Sequence, residues 1–238
     1  MNWKGHAFEL YRRWAHMWMW PVLWYEERKG ICSGYSERGV EWAYALDVAA
    51  RQKGETALDV GSGWTSWPYM MAAAGFRTTA IDLWDWGFVR RFGGNRHYRV
   101  LRMDITKDET VLGLLERNGG PFDYISCIST LEHMPILDAV EAMKNMGRLL
   151  APGGSLVTTF PYGPRRALAQ ETPFTQVYSE DEIARFALSS RLENTLTNEK
   201  FFSCWAGGAW RAKPRRNVCK QVPFGSPIAD LHCATWRH

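Results

Sequence analysis

The chain has 238 residues, 46% hydrophobic and 23% charged, with a formal net charge of +4, a composition that suits a soluble globular protein with one filled core. No apolar run approaches the ~20 residues that cross a bilayer, and the stretch from Met1 to Arg13 is interrupted by Lys4, Glu9, Arg12 and Arg13, so no secretory leader is expected. Five cysteines, at 32, 127, 204, 219 and 233, form no CxxC or Cys/His spacing, which predicts reduced thiols in a cytoplasmic protein rather than a disulfide framework or a metal centre.

Among 13 tryptophans, Trp3, Trp14, Trp18, Trp20 and Trp24 precede the first predicted strand. Trp14, Met17 and Trp18 have i, i+3, i+4 spacing and share a helix face. Such a stripe is more often a buried seam; the competing reading is an aromatic lid that stacks on a planar ligand. Residues 1–35 are therefore set apart as a tryptophan-rich helical extension.

A helix is predicted over 36–53, ended by Gly54. A short strand follows at 56–60, then a glycine-containing loop and a helix over 66–74, closed by Gly75 where a left-handed cap is common. Strands are expected at 77–82, rich in β-branched residues, and at 97–103, with a helix over 109–117. The fourth strand, 122–129, is entered through Gly119-Gly120-Pro121. A helix over 136–150 stops at Pro152-Gly153-Gly154, and a fifth strand covers 155–160.

Alternation of this kind predicts an α/β fold: a Rossmann-like, doubly wound, mostly parallel sheet with helices on both faces. Right-handed crossovers put the loops after the strands on one edge, where ligands bind. In the last third, Ser179-Glu180-Asp181-Glu182 supplies an N-cap and acids suited to a helix dipole. Segments 192–204 and 209–213, joined around Gly207-Gly208, read as an antiparallel hairpin that finishes the sheet. The main domain is thus taken as 36–215 and the rest, 216–238, as a basic tail. From Lys200 onward there are seven Lys and Arg residues, and Asp230 is the only acid. A solvated tail is favoured there over a nucleic-acid patch, because no nucleic-acid-binding motif accompanies it.

Ala57-Leu58-Asp59-Val60-Gly61-Ser62-Gly63 carries the strongest signal. A buried strand turning through glycine lets backbone approach a ligand, and the following helix presents unpaired N–H groups. About twenty residues later Asp82 ends the second strand, placed to accept bonds from ribose hydroxyls. A dinucleotide site would share both features, yet its pattern requires glycine or alanine at Ser66. Asp59 suits a cationic amino group, which S-adenosylmethionine has there and a nicotinamide dinucleotide lacks. Asp59 and Asp104, taken singly, are also explained as turn caps.

With these residues in place the chain resembles the class I S-adenosylmethionine-dependent methyltransferases over roughly 36–213. LDVGSG at 58–63 is similar to their first motif, AIDL at 80–83 to the second and MDIT at 103–106 to the adenine segment. FDYISCISTLEHM at 122–134 is similar to their fourth-strand motif, of the small-molecule type ending in LEH, and LLAPGGSLVTTFP at 149–161 to the fifth strand. The resemblance implies S-adenosyl-L-methionine as cofactor, with Asp59, Gly61, Ser62 and Gly63 bordering its methionine portion, Asp82 and Leu83 its ribose, Asp104 and Ile105 its adenine, and Ile128 and Ser129 touching it after strand four. Thr65 departs from the family, which often has a third glycine there.

Methyl transfer is an in-line displacement that needs alignment and exclusion of water, with a base when the acceptor is a hydroxyl. His133 is the candidate base, by position and by the ordinary pKa of histidine; the competing reading of Glu132-His133 is packing and hydrogen bonding beside the cofactor. No second histidine or carboxylate spacing completes a metal site there. Arg38 either reaches the cofactor carboxylate or forms a solvent-exposed helix pair with Glu41. Trp18, Tyr25, Tyr162 and Arg165 are candidates to hold the acceptor. The expected acceptor is a small molecule or glycan-type compound, methylated at oxygen or nitrogen. RNA or protein is the alternative, as is a silent cofactor-binding scaffold; no membrane span is expected.

Overall fold

The computed structural model describes residues 19, 21–26, 28, 35–63, 65–84, 98–162, 167–168, 176–194, 204–205, 209–210 and 230–237. Helix α1 (Tyr35–Ala49) leads into strand β1 (Thr56–Val60), followed by α2 (Trp67–Ala73) and β2 (Arg77–Asp82). Then come β3 (Tyr98–Arg102), α3 (Asp108–Asn118), β4 (Phe122–Ile128), a 3-10 turn (Leu131–His133), α4 (Ile136–Leu149) and β5 (Leu150–Tyr162). The remainder comprises the short strands β6 (Ala167–Leu168) and β7 (Gln176–Val177), helix α5 (Glu180–Ser190), β8 (Glu193–Asn194), β9 (Cys204–Trp205), β10 (Ala209–Trp210) and β11 (Asp230–Arg237).

Among the described residues seven strands form one sheet in the order β3-β2-β1-β4-β5-β11-β8. The first five are parallel: Leu58 pairs with Thr79 on one side and Ile125 on the other, Ala80 with Val100, and Ile125 with Leu156. Every residue of β1 is buried, as a strand covered on both faces must be. Alternate residues feed two cores. Leu58, Ile125 and Leu156 face α3, α4 and α5 through Leu114, Met143 and Phe186. Ala57, Tyr124 and Val157 face α1 and α2 through Trp42, Leu46 and Met70. The doubly wound sheet expected from the alternation is the fold of the chain.

Local signals hold at several ends. Ser179 and Glu182 form a reciprocal capping box on α5, and Gly75 follows α2 with a φ of 91°, the left-handed region that glycine enters without strain. Two expectations change. Pro152-Gly153-Gly154 does not separate α4 from the fifth strand: the helix runs directly into β5 at Leu150, and the pairing steps from Phe122–Leu150 to Tyr124–Ser155, so the three residues sit out of register inside the strand. Among the described residues the predicted hairpin is β9 with β10, a separate two-stranded sheet, while the start of its first segment, β8, joins the main sheet.

The antiparallel part of the main sheet comes instead from residues 230–237, expected as basic tail. Strand β11 pairs with β5 from Asp230–Tyr162 to Trp236–Leu156 and carries β8 on its other edge. This pairing joins segments some seventy residues apart, and no local turn chemistry signals it. Among the described residues no helix is long and apolar enough to cross a membrane.

Candidate functional site

A cavity of about 570 Å³ opens at the carboxyl ends of β1 to β4. Asp59, Gly61, Ser62, Gly63, Asp82, Leu83, Asp104, Ile105, Ile128, Ser129 and His133 all line it; ten of these are the residues expected at the cofactor and His133 is the candidate base. Successive strand ends bring them together, because parallel strands place every following loop on one edge.

The glycine loop is shaped by what surrounds it. Gly61 takes a φ of 74°, and a Cβ there would overlap the Thr130 side chain, so both backbone and space demand glycine. Gly61 and Ser62 N–H groups donate to Ile81 O at 2.9 and 3.2 Å, tying the loop to β2. Gly63, with a φ of 54°, has open space where its Cβ would project. Thr65, at the place of the family's third glycine, donates its hydroxyl to Ser62 O at 3.1 Å. Its polar atom therefore closes the loop on itself while the residue lines the cavity.

Each acid has a defined partner set. Asp82 accepts the Gly63 N–H at 2.8 Å on Oδ2 and the Trp84 N–H at 2.9 Å on Oδ1, so one carboxylate fastens the loops that follow β1 and β2. Asp104 takes the Thr106 N–H and hydroxyl at 2.9 and 2.8 Å, both on Oδ1; it caps its turn while lining the cavity. Neighbouring Ile105 is anchored by the Asn145 side-chain amide, which donates to Ile105 O at 2.9 Å.

Asp59 lies deepest, 2% exposed. Desolvation by burial pushes its carboxyl up from an ordinary 3.8 to about 7, against a bond from Ser126, with nearby Asp82 raising it further and Arg38 lowering it. Behind it runs an ordered donor chain. Trp67 Nε1–H donates to Ser126 Oγ at 2.9 Å, and indole nitrogen can only donate. The Ser126 hydroxyl proton is thereby directed to Asp59 Oδ1, 2.7 Å away. Trp67 also packs on Trp42, with ring centroids 5.4 Å apart. Ser126 lies inside the 122–134 segment without an assigned role there, and Trp67 lies in no motif; only strand pairing sets Ser126 opposite Asp59.

Ser129 ends β4 with a φ of 45°, unusual for a residue with a side chain. Its N–H donates to Thr159 O and Oγ1 at 3.1 and 3.0 Å, and its hydroxyl donates to Glu41 Oε1 at 2.6 Å. Glu41 is fully buried rather than half of a solvated pair. It receives Thr159 Oγ1 at 2.6 Å and Arg38 Nη1 at 2.7 Å, and Arg38 lines the cavity. The exposed Arg38–Glu41 alternative is thus corrected: tertiary packing closes β4 and β5 over the pair.

After Ser129, Leu131 and Glu132 turn inward and are buried, while His133 is exposed and faces the cavity with Met134, Pro135 and Asp138 beside it. The turn is held by the Tyr178 hydroxyl, which donates to Leu131 O at 2.6 Å.

Trp18 and Arg165 lie outside the described residues, as do Trp14, Met17 and the side chain of Tyr162, whose backbone ends β5. Tyr25 is 49% exposed and is absent from the cavity lining. It sits on a helical stretch, 21–26, that points Leu23 into the core instead, where Met19 is also buried. Glu26, on the same stretch, is buried and accepts the Ser66 N–H at the start of α2.

Residues 35–195 match the model of the methyltransferase domain family. The chain belongs to that family. Its fold and cofactor class are those of the class I S-adenosylmethionine-dependent methyltransferases. The methyltransferase is 30% identical over 132 residues to a ubiquinone biosynthesis O-methyltransferase of Pseudomonas paraeruginosa, an alignment covering 54% of this chain and 53% of the relative. With the protein of the same name from Xanthomonas oryzae pv. oryzae it shares 35% identity over 117 residues, 47% and 43% of the two chains. The methyltransferase spans about half the length of the curated relatives it matches. Among solved structures, the Burkholderia thailandensis 1,6-didemethyltoxoflavin-N1-methyltransferase, bound to 1,6-didemethyltoxoflavin and S-adenosylhomocysteine, has a TM-score of 0.57 at 16% identity, over 90% of this chain and 82% of that one.

Proposed function

We propose that this methyltransferase moves a methyl group from S-adenosylmethionine to an oxygen or nitrogen of a small or glycan-type acceptor in the cytoplasm. One observation carries the reading: three acids and a glycine turn from three strand ends converge on one cavity, with the most buried acid, Asp59, poised near neutrality. A desolvated carboxyl of that kind gains its charge when a cation arrives, which suits the ammonium of the cofactor. Gly63, open on its Cβ side, leaves room for a ligand along the loop, and Asp82, Asp104, Leu83 and Ile105 suit the ribose and adenine.

When bound, the cofactor supplies an electrophilic methyl on a sulfonium, whose departure as a neutral thioether drives the displacement. The chain's own residues bind, orient and exclude water. His133, facing the cavity from a short turn, takes the proton of an acceptor hydroxyl. The N-terminal extension docks against α1 and α2, a reading supported by the burial of Met19 and Leu23 and by Glu26 on Ser66; none of its described residues lines the cavity. The O-methyltransferase names of the relatives favour an oxygen acceptor.

Calorimetry with S-adenosylhomocysteine tests the cofactor, and transfer of labelled methyl to a panel of hydroxyl and amine compounds tests the acceptor. Binding of NAD with no binding of S-adenosylhomocysteine would overturn the proposal.

A further inference from the structure

The Glu41 cluster does more than pack. A buried carboxylate is costly unless its lone pairs are filled, and here every contribution comes from a different element: Arg38 from α1, Ser129 from the end of β4 and Thr159 from β5. Two of the three donors, Arg38 and Ser129, are cavity residues. The bonds divide cleanly between the oxygens, hydroxyls on Oε1 and guanidinium on Oε2. The same carboxylate therefore bears on the left-handed turn at Ser129, whose N–H is already held by Thr159, and on the cation placed near Asp59.

We propose that Glu41 is a positioning residue for the amino-acid end of the cofactor site, holding Arg38 on the cavity wall and Ser129 in its strained turn. The proposal rests on the cofactor reading above. Glu41 touches no ligand itself. It fixes where a positive group sits beside the buried Asp59, so that a zwitterion meets a cation and an anion at set places. Without Oε2, the guanidinium loses the partner that fixes its planar fork; without Oε1, Ser129 loses the hydroxyl bond that helps hold its left-handed backbone.

Glu41→Gln tests this directly. The amide oxygen can still accept from Ser129 and Thr159, but the amide nitrogen has no acceptor for Arg38. Two probes separate the roles: S-adenosylhomocysteine, which carries the amino-acid end, and 5′-methylthioadenosine, which lacks it. By calorimetry on the full chain, Glu41→Gln should weaken S-adenosylhomocysteine roughly tenfold or more, while methylthioadenosine stays within about twofold. Equal losses for both, or unchanged binding of both, would overturn the proposal. Should Glu41→Gln show no cooperative melt, Arg38→Met is measured with the same probes; a loss confined to S-adenosylhomocysteine supports the assignment, and any other pattern overturns it. A wild-type chain that binds neither probe removes the cofactor reading itself, an outcome distinct from a failed selectivity.

Discussion

At Gly61, Gly63 and Ser129 the cavity wall is main chain, held by bonds to neighbouring strand ends and to the Asp82 carboxylate. At His133, Met134, Pro135 and Asp138 it is side chains standing on a 3-10 turn and the first turn of α4. The polar groups of the first wall are already bonded within the chain, whereas the second stands partly exposed. Backbone geometry ties the first to local sequence, whereas the second depends on which distant segments pack against it.

The largest effect expected falls on the backbone wall. Gly61→Ala combines a left-handed φ, costing ~1–2 kcal/mol for a residue with a Cβ, with overpacking against Thr130, costing ~1–3 kcal/mol. Gly63→Ala shares only the first cost, since its Cβ meets nothing. Denaturant midpoints should therefore rank wild type above Gly63→Ala above Gly61→Ala; equal destabilisation would show that Thr130 yields freely.

Asp82→Ala comes next. It removes the acceptor of the Gly63 and Trp84 N–H groups along with bonds to the ribose, and cofactor binding should weaken by ~2–4 kcal/mol, at ~1.5–3 for each charge-assisted bond. A folded variant with wild-type affinity for S-adenosylhomocysteine would place the ribose elsewhere.

On the other wall, His133→Gln should leave cofactor affinity unchanged and lower kcat on a hydroxyl acceptor on the order of a hundredfold, with loss of the pH dependence that the base imposes. A fall in cofactor affinity with kcat intact would move His133 to the binding side of the comparison.

The last effect is a pH slope. In the unfolded chain Asp59 ionises near 3.8; folded, it does so near 7. Between those values the native state holds a proton that the unfolded state has released, so stability falls as pH rises through the window and levels off above it. Glu26, also raised by burial, acts in the same direction. Cofactor binding runs oppositely, tightening toward pH 7 as the ammonium favours the carboxylate. Thermal midpoints from pH 5 to 8 should flatten in Asp59→Asn, and Ser126→Ala should shift the binding profile to higher pH. A profile untouched by both changes would remove Asp59 from the ammonium site.

Much of this molecule is written in short windows. Five parallel strands, the glycine turn and the acids at strand ends each follow from a few adjacent residues, because strand period, turn chemistry and helix caps are local properties. The limits of that legibility are equally specific. Arg38 and Glu41 are neighbours on a helix by spacing alone; that they lie against Ser129 and Thr159 follows from partners 88 and 118 residues away. Tyr25 carried a ring suited to stacking, but helix phase turned Leu23 inward instead.

By itself the sequence determined the element order, the edge on which the site lies and the residues of its backbone wall. Only tertiary structure decided that 230–237 completes the sheet beside β5, that Trp67 and Ser126 orient Asp59, and that Glu41 is buried. The physical reason is common to all three. A hydrogen bond or strand pair between distant segments forms when folding has brought them together and excluded water, and burial, not the identity of adjacent residues, sets its strength.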